Sequence, residues 1–362
     1  MDPFQFAYKA KRGVEDATLT LLNVISQHLD SSGSCVRILF MDLSSAFNTI
    51  QPHLLIKRLL DLQANHSIIL WIRSFLCDRP QRVMLGGHLS EEVTLSTGAP
   101  QGCVLSPVLF SLYTNEITCN NAVLAMIKYA DDMALAARLK DKNSLAQYFQ
   151  FINDLRTWFD ESFLQLNIQK TKELICFSRG QGQDASLCEP LRIGNEPVEQ
   201  VSQFKYLGTV LDQHLSFTEN VDYIYKKAQQ RLYLLRKLRN FNVDQKILEN
   251  VYRSLIESVL MFNIVSWYGN LTVKSKAKLV RVVSLAGKII GSKQIQLSDL
   301  YHQAVTRKSF DILLDKTHPL NSEFEMLPSG RRLKVPLARK NVYKKSFVPS
   351  AISILNSDYY KT

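Results

Sequence analysis

From Met126 to Leu135 the chain reads as two apolar runs that meet at a pair of adjacent carboxylates, Asp131 and Asp132. Runs of this length, broken only by a turn-compatible Asp-Asp, predict a buried β-hairpin with both acids at its tip. Like charges held side by side at the end of a buried hairpin repel each other. A cation therefore belongs beside them, and a divalent metal is the natural candidate. A solvated surface turn gives the same pattern, so the hairpin needs company before it means chemistry.

A second acid stands at the end of another apolar run. Val36 to Met41 predicts a strand buried on both faces, and it delivers Asp42. Ser44 or Ser45 then caps a predicted helix carrying Phe47, Ile50, Leu54 and Leu55, which puts Asp42 in a strand-to-helix turn; a second helix cap is the plain alternative. Ahead of this strand, residues 15–29 set Leu21, Val24, Ile25 and Leu29 on one helical face, and Asp30 to Gly33 end the helix.

Beyond it a helix from Asn65 carries Ile68, Ile69, Trp71, Ile72 and Phe75 and leads to Arg79 and Pro80, after which Gly86-Gly87 turns a hairpin. Ser96 to Pro107 holds two glycines and two prolines. It reads as an irregular loop whose backbone can approach a ligand closely, ending in a helix with Ser106 as cap and Pro107 in its first turn. A mere connector would look the same.

After the hairpin, Leu145, Tyr148, Phe149, Ile152, Leu155, Trp158 and Phe159 keep helical spacing and belong to the core. Leu174 to Phe177 is a strand, preceded by Asn167 to Lys172. Residues 180–183 are a polar surface loop, Gly194-Asn195 turns a hairpin, and Phe204 to Gly208 closes the region. Past Thr218 the texture changes to long helices, roughly 218–240, 244–268 and 273–290, with Gly269 and Gly291 as stops.

The 362 residues, 46% hydrophobic, allow two or three compact units. A net charge of +11 favours a polyanionic partner such as nucleic acid. The charge gathers on the first long helix, where Lys226, Lys227, Arg231, Arg236, Lys237 and Arg239 follow one another without an acid beside Tyr223, Tyr225 and Tyr233. It gathers again in the tail, at Arg331, Arg332 and Lys334 and over residues 339–345. Such surfaces suit a phosphate backbone, although a solvated basic face is the alternative. The six cysteines have no zinc-ligand spacing and read as reduced, mostly buried thiols of an intracellular protein. Met1-Asp2-Pro3 opens no signal peptide, and the apolar stretch from Leu255 to Tyr268, interrupted by Glu257 and Asn263, is too short to span a bilayer, so no membrane is expected.

Two strand-borne acid sites that converge would make a two-metal site, in which one ion makes a hydroxyl nucleophilic and the other steadies a leaving pyrophosphate. With the stretch Phe40 to Asn48, the loop Gly98 to Pro107 and the box Tyr129 to Asp132 in this order, the chain resembles a reverse transcriptase of the non-LTR, LINE-type retrotransposon branch. The resemblance covers nearly the whole chain. It implies an α+β right-hand polymerase: partial fingers (1–35), an antiparallel-sheet palm (36–212, with a fingers-like insertion at about 54–95), a helical thumb (213–291) and a basic C-terminal extension (292–362).

The resemblance also assigns roles. Asp42, Asp131 and Asp132 hold two magnesium ions, manganese being able to substitute, with the Leu43 carbonyl as an extra ligand. Phe47 fills the space a ribose 2′-hydroxyl would need, and Gln101 and Gly102 line the pocket of the nascent base pair. Lys170 protonates pyrophosphate. Lys9 and Arg12 hold the triphosphate, although relatives carry arginine where Lys9 stands. Tyr206, Leu207 and Gly208 form the primer grip, and the basic helices beyond form the thumb.

The implied partners are an RNA template, a DNA primer and dNTPs, in the nucleus or a cytoplasmic ribonucleoprotein; the oligomeric state is open. The implied reading is also of a 5′-truncated element, without an endonuclease domain and with incomplete fingers. The competing readings are a catalytically weak or inactive retroelement remnant that binds RNA, and a group II intron maturase-like or RNA-templated RNA polymerase. Phe47 argues against an RNA polymerase.

Overall fold

In the computed structural model residues 2–31, 33–177 and 185–358 are described; the polar loop expected at 180–183 lies outside them. The chain forms two compact units. One comprises Met1–Gly13, Ile38–Glu173 and Ala185–Gln200, the other Val14–Arg37, Leu174–Asp184 and Val201–Thr362. Helices and antiparallel strand pairs occur throughout, so the fold class is α+β.

A five-stranded sheet has the order Glu199–Val201, Lys172–Phe177, Cys35–Met41, Asp132–Leu139, Leu124–Tyr129. The expected hairpin is its outer pair: Leu124–Tyr129 runs antiparallel to Asp132–Leu139, from Leu124 opposite Ala137 to Tyr129 opposite Asp132. Met126, Ile127, Ala134, Leu135, Ala136 and Ala137 have no exposed surface. A strand covered on both faces gains from every side chain, which is why its sequence runs apolar without alternating. Helix Lys142–Glu161 packs on Asp132–Leu139 and buries Leu145, Tyr148, Ile152, Leu155 and Phe159, while Trp158 and Phe149 are half-exposed.

Lys128, on the outermost strand, is wholly buried. Its ammonium lies 2.8 Å from the Asp2 carboxylate and donates to the carbonyls of Thr114 (3.0 Å) and Ile117 (2.8 Å). Burial pulls its pKa down and Asp2 pulls it back up. Breaking such a pair by removing one partner leaves an uncompensated charge, so Lys128→Met should cost about 3–5 kcal/mol in urea unfolding, and Asp2→Leu combined with Lys128→Met much less than either change alone. A loss in the double variant equal to the sum of the two single losses would mean that the pair is not coupled.

Two expected helix starts move, for identifiable reasons. After Asp42 the chain adds a short strand, Leu43–Ser44, paired with Gln165–Leu166, and turns through Ser45 at φ 52° before helix Pro52–Asp61 begins. Pro52 sits in the first turn of that helix and fixes its start; neither serine caps it, and Phe47 lies in the turn rather than on the helix. In the glycine-rich loop the helix begins at Leu105 with Val104 before it. Ser106 is buried and donates to the Pro100 carbonyl (2.6 Å), so it ties the loop to the helix instead of capping it. The hairpins at Gly86-Gly87 and Gly194-Asn195 form as the turn residues require.

The second unit is mainly helical. Helices Val14–Leu29, Thr218–Asn240 and Val273–Ile290 follow the expected spans, with Gly291 at φ 87° ending the third. The single helix expected over 244–268 is broken into Gln245–Val251, a π-helical stretch Tyr252–Glu257, Ser258–Met261 and Ile264–Trp267. The break centres on Asn263 at φ 51°, whose buried amide donates to the hydroxyls of Thr209 (3.0 Å) and Thr18 (3.4 Å). A polar side chain buried in an apolar stretch takes the backbone with it to reach partners.

The tail is packed rather than merely basic. Helix Leu297–Leu314 carries Lys308, buried with its ammonium 3.1 Å from Asp16 and 3.3 Å from Glu15. Lys340 donates to the carbonyls of Leu29 and Ser31 (2.7 Å each), capping helix Val14–Leu29 at its C-terminal end. None of the six cysteines is in a disulfide, and only Cys176 is buried, against the expectation of a mostly buried set. Among the described residues no helix is long and apolar enough to cross a membrane.

Candidate active site

Strand Cys35–Met41 lies beside Asp132–Leu139 in the sheet. Register puts Asp132 at the first position of its strand, opposite Tyr129, with Ala130 and Asp131 as the two turn residues. Asp42 directly follows its own strand. The acids feel one another: the Asp132 pKa is raised by burial first, then by the charges of Asp131 and Asp42. Asp132 keeps surface open to solvent, while Met133 to Ala137 of the strand it begins are buried.

The segment Asn167 to Lys172 is pinned to the same strand end. The Asn167 amide donates to the Asp42 carbonyl (2.8 Å), the Asn167 side chain accepts from the Lys170 amide (3.1 Å), and Thr171 returns a hydroxyl to the Asn167 carbonyl (2.8 Å). This turn sets the Lys170 ammonium 3.7 Å from the Asp42 carboxylate, with both side chains largely exposed. Asn167 and Thr171 received no role from the sequence, although an asparagine three residues ahead of a lysine is an ordinary Asx-turn signal.

Three hard oxygen donors that repel one another suit a hard divalent cation, and magnesium binds through one or two carboxylates with water and phosphate completing its shell. The donor set therefore fits. Among the described residues no three such side chains are drawn close enough to form a cage by themselves. Leu43, the other expected ligand, is held in register against Leu166.

Around this centre, Phe47 is half-buried with its ring 5.2 Å from that of Phe110. Its carbonyl accepts from the Ala99 amide (2.8 Å), and the Ile50 carbonyl accepts from the Gly98 amide (2.7 Å). A Cβ on Gly98 would stand 2.9 Å from the Asn48 backbone, so only glycine permits this approach. The Gln101 side chain donates to Asn48 (3.0 Å), and Gly102 lies exposed beyond it at φ 82°. The structure thus brings Phe47 and the glycine-rich loop together, with Asn48 as a contact that sequence reasoning passed over.

Lys9 and Arg12 are turned to their own segment: Lys9 donates to the Asp2 carbonyl (2.6 Å) and Arg12 to that of Pro3 (2.8 Å). Beside them Tyr8 has its pKa raised by burial, then by Asp131 and Tyr129.

In the second unit Tyr206 is buried in strand Gln203–Tyr206, and Leu207 (φ 43°) and Gly208 (φ 87°) make the turn into Thr209–Asp212. Gly208 sits under the Phe262 ring, which a Cβ would meet at 2.7 Å. On helix Thr218–Asn240, Lys226, Arg236, Lys237 and Arg239 are exposed, Lys227 lies over the Tyr223 ring, and Arg231 donates to the Leu255 carbonyl. In the tail Arg331, Arg332 and Lys334 are exposed on a loop closed by the Met326–Leu333 bridge, with Lys334 paired to Glu325 at 3.2 Å.

Residues 1–211 match the reverse transcriptase (RNA-dependent DNA polymerase) family, which is more than half of the chain. The chain belongs to that family. Residues 217–258 also match a family described as alkylated DNA repair protein alkB homolog 8, N-terminal. Among individual proteins, the chain is 27% identical over 290 residues to the probable RNA-directed DNA polymerase from transposon BS of Drosophila melanogaster, covering 77% of this chain and 31% of that one.

It is 23% identical to the RNA-directed DNA polymerase from mobile element jockey of the same fly, with the same coverage of 77% and 31%. To the probable RNA-directed DNA polymerase from transposon X-element, also of that fly, it is 25% identical, covering 70% of this chain and 28% of that one. The chain thus spans about a third of the length of these curated relatives. Among solved structures, telomerase from Candida albicans in complex with a fragment of telomeric RNA aligns with a TM-score of 0.40 at 12% identity, over 84% of this chain and 53% of that one. Apo telomerase from Candida tropicalis aligns at 0.39 and 11%, over 84% and 55%.

Proposed function

We propose that the chain is the polymerase part of a non-LTR retrotransposon protein and adds deoxynucleotides to a primer 3′-hydroxyl on an RNA template. What supports this reading is that Asp42 follows one strand of the sheet and Asp131 and Asp132 lie at the start of its neighbour, with the Lys170 ammonium 3.7 Å from the Asp42 carboxylate. Residues 36–212 act as the palm and 213–291 as the thumb.

In this reading Asp42, Asp131 and Asp132 hold divalent metal, magnesium first among the candidates. When bound, it supplies charge to make the primer hydroxyl nucleophilic and to neutralise the leaving pyrophosphate. The chain's own groups do the rest. Lys170, on its pinned turn, stands ready to give a proton to the leaving group. Phe47 borders the sugar, and the loop from Gly98 to Gly102, stapled to the Phe47 turn, borders the base. Lys226, Lys227, Arg236, Lys237 and Arg239 take the phosphates of the duplex; Arg231, engaged with a carbonyl, serves the helix packing instead.

The test is extension of oligo(dT) on poly(A) with dTTP and magnesium by the purified chain. Template-dependent extension is expected. Tight, salt-sensitive binding of poly(A) with no extension would replace this reading with that of an RNA-binding remnant.

A further inference from the structure

The tip of the hairpin carries a conformational conflict. Its two turn residues are Ala130 and Asp131; Ala130 has φ 57°, whereas Asp131 is not in the left-handed region. Positive φ at the first turn position alone is the type II′ pattern, which calls for glycine there. An alanine held in this region is disfavoured by its Cβ, and the two residues that follow it are the paired carboxylates. Something outside the hairpin has to hold the turn.

That contact comes from the N-terminal segment. Gln5 is 1% exposed, and its side-chain oxygen accepts the Ala130 amide (3.1 Å) and the Ala7 amide (3.1 Å). Two backbone donors fix which end of the side chain faces the turn, and the amide nitrogen, equally buried, meets no acceptor among the described residues. The Gln5 backbone is itself registered on the hairpin. Gln5 bridges Lys128 in parallel, with the Phe6 amide on the Lys128 carbonyl (2.9 Å) and the Lys128 amide on the Phe4 carbonyl (2.9 Å). The buried Asp2–Lys128 pair anchors the same segment.

We propose that Gln5 is a positioning residue that holds the Ala130 turn in its disfavoured conformation and thereby aims Asp131 and Asp132. The inference rests on the polymerase reading for its effect on rate, but not for its effect on the turn.

Gln5→Met keeps the volume and removes the acceptor. Losing a buried acceptor should drop the hydrogen-exchange protection of the Ala130 amide about tenfold or more, and kcat for single-nucleotide addition by roughly the same factor. KM for primer–template should stay put. Adding Ala130→Gly makes the left-handed turn intrinsically accessible, so the double variant Gln5→Met with Ala130→Gly should regain most of the lost kcat. Unchanged Ala130 protection in Gln5→Met overturns the proposal. So does a general loss of thermal stability that Ala130→Gly does not relieve, which would make Gln5 a packing residue. If the wild-type chain extends no primer while Ala130 protection still depends on Gln5, the polymerase reading fails and the positioning role stands.

Discussion

Asp131→Asn should lower nucleotide addition by about 10³-fold or more while leaving poly(A)·oligo(dT) affinity nearly unchanged. The estimate follows from removing one hard-cation ligand, worth several kcal/mol of transition-state stabilisation, with each 1.4 kcal/mol or so a factor of ten. The amide keeps the shape of the turn, so the loss is chemical rather than structural. Its neighbour adds a stability signature.

The folded pKa of Asp132 lies above the unfolded one, because burial and then the charges of Asp131 and Asp42 disfavour its ionised form. Such a group contributes stability below the unfolded carboxylate range, near ~4, and loses it as pH rises through the folded pKa. At neutral pH the charge is a burden on the metal-free fold. Asp132→Asn should therefore melt above the wild type in EDTA at pH 7, with the difference closing toward pH 4, while activity is lost. A variant that melts lower at neutral pH would mean that the acids do not strain one another.

Phe47 gives the second large effect. Its backbone is fixed by the Gly98 and Ala99 amides and its ring rests on Phe110, so shortening the side chain removes volume without releasing the turn. Phe47→Val should reduce the preference for dTTP over UTP roughly 10–200-fold, the range that a few methylene-sized contacts can discriminate. The ratio of incorporation efficiencies on one primer–template measures it, and an unchanged ratio makes Phe47 a core residue only.

What the sequence disclosed was whatever a single stretch of chain determines. The hairpin at Asp131-Asp132, the strand before Asp42 and the helix Thr218–Asn240 were legible because apolar runs and helical spacing are local codes. The misplacements arose where a contact that the periodicity does not encode decided. Ser106 looks like a cap until the Pro100 carbonyl is placed beside it, and Asn263 interrupts a helix for hydroxyls on Thr18 and Thr209. The candidate site divides in the same way. Its acids announce themselves by type and position, whereas the groups that orient them, Asn167 across the strand end and Gln5 behind the turn, act over 125 residues in both cases, so local sequence does not show what they hold.

Whether Asp42 and the Asp131-Asp132 pair serve one metal-dependent centre can be read by titrating Mn²⁺ against the chain loaded with a dideoxy-terminated primer, RNA template and dTTP, with free ion followed by electron paramagnetic resonance. Two tightly held ions are expected in the wild type, with tight binding lost in both Asp42→Asn and Asp131→Asn. Wild-type stoichiometry and affinity in either variant would contradict a shared centre.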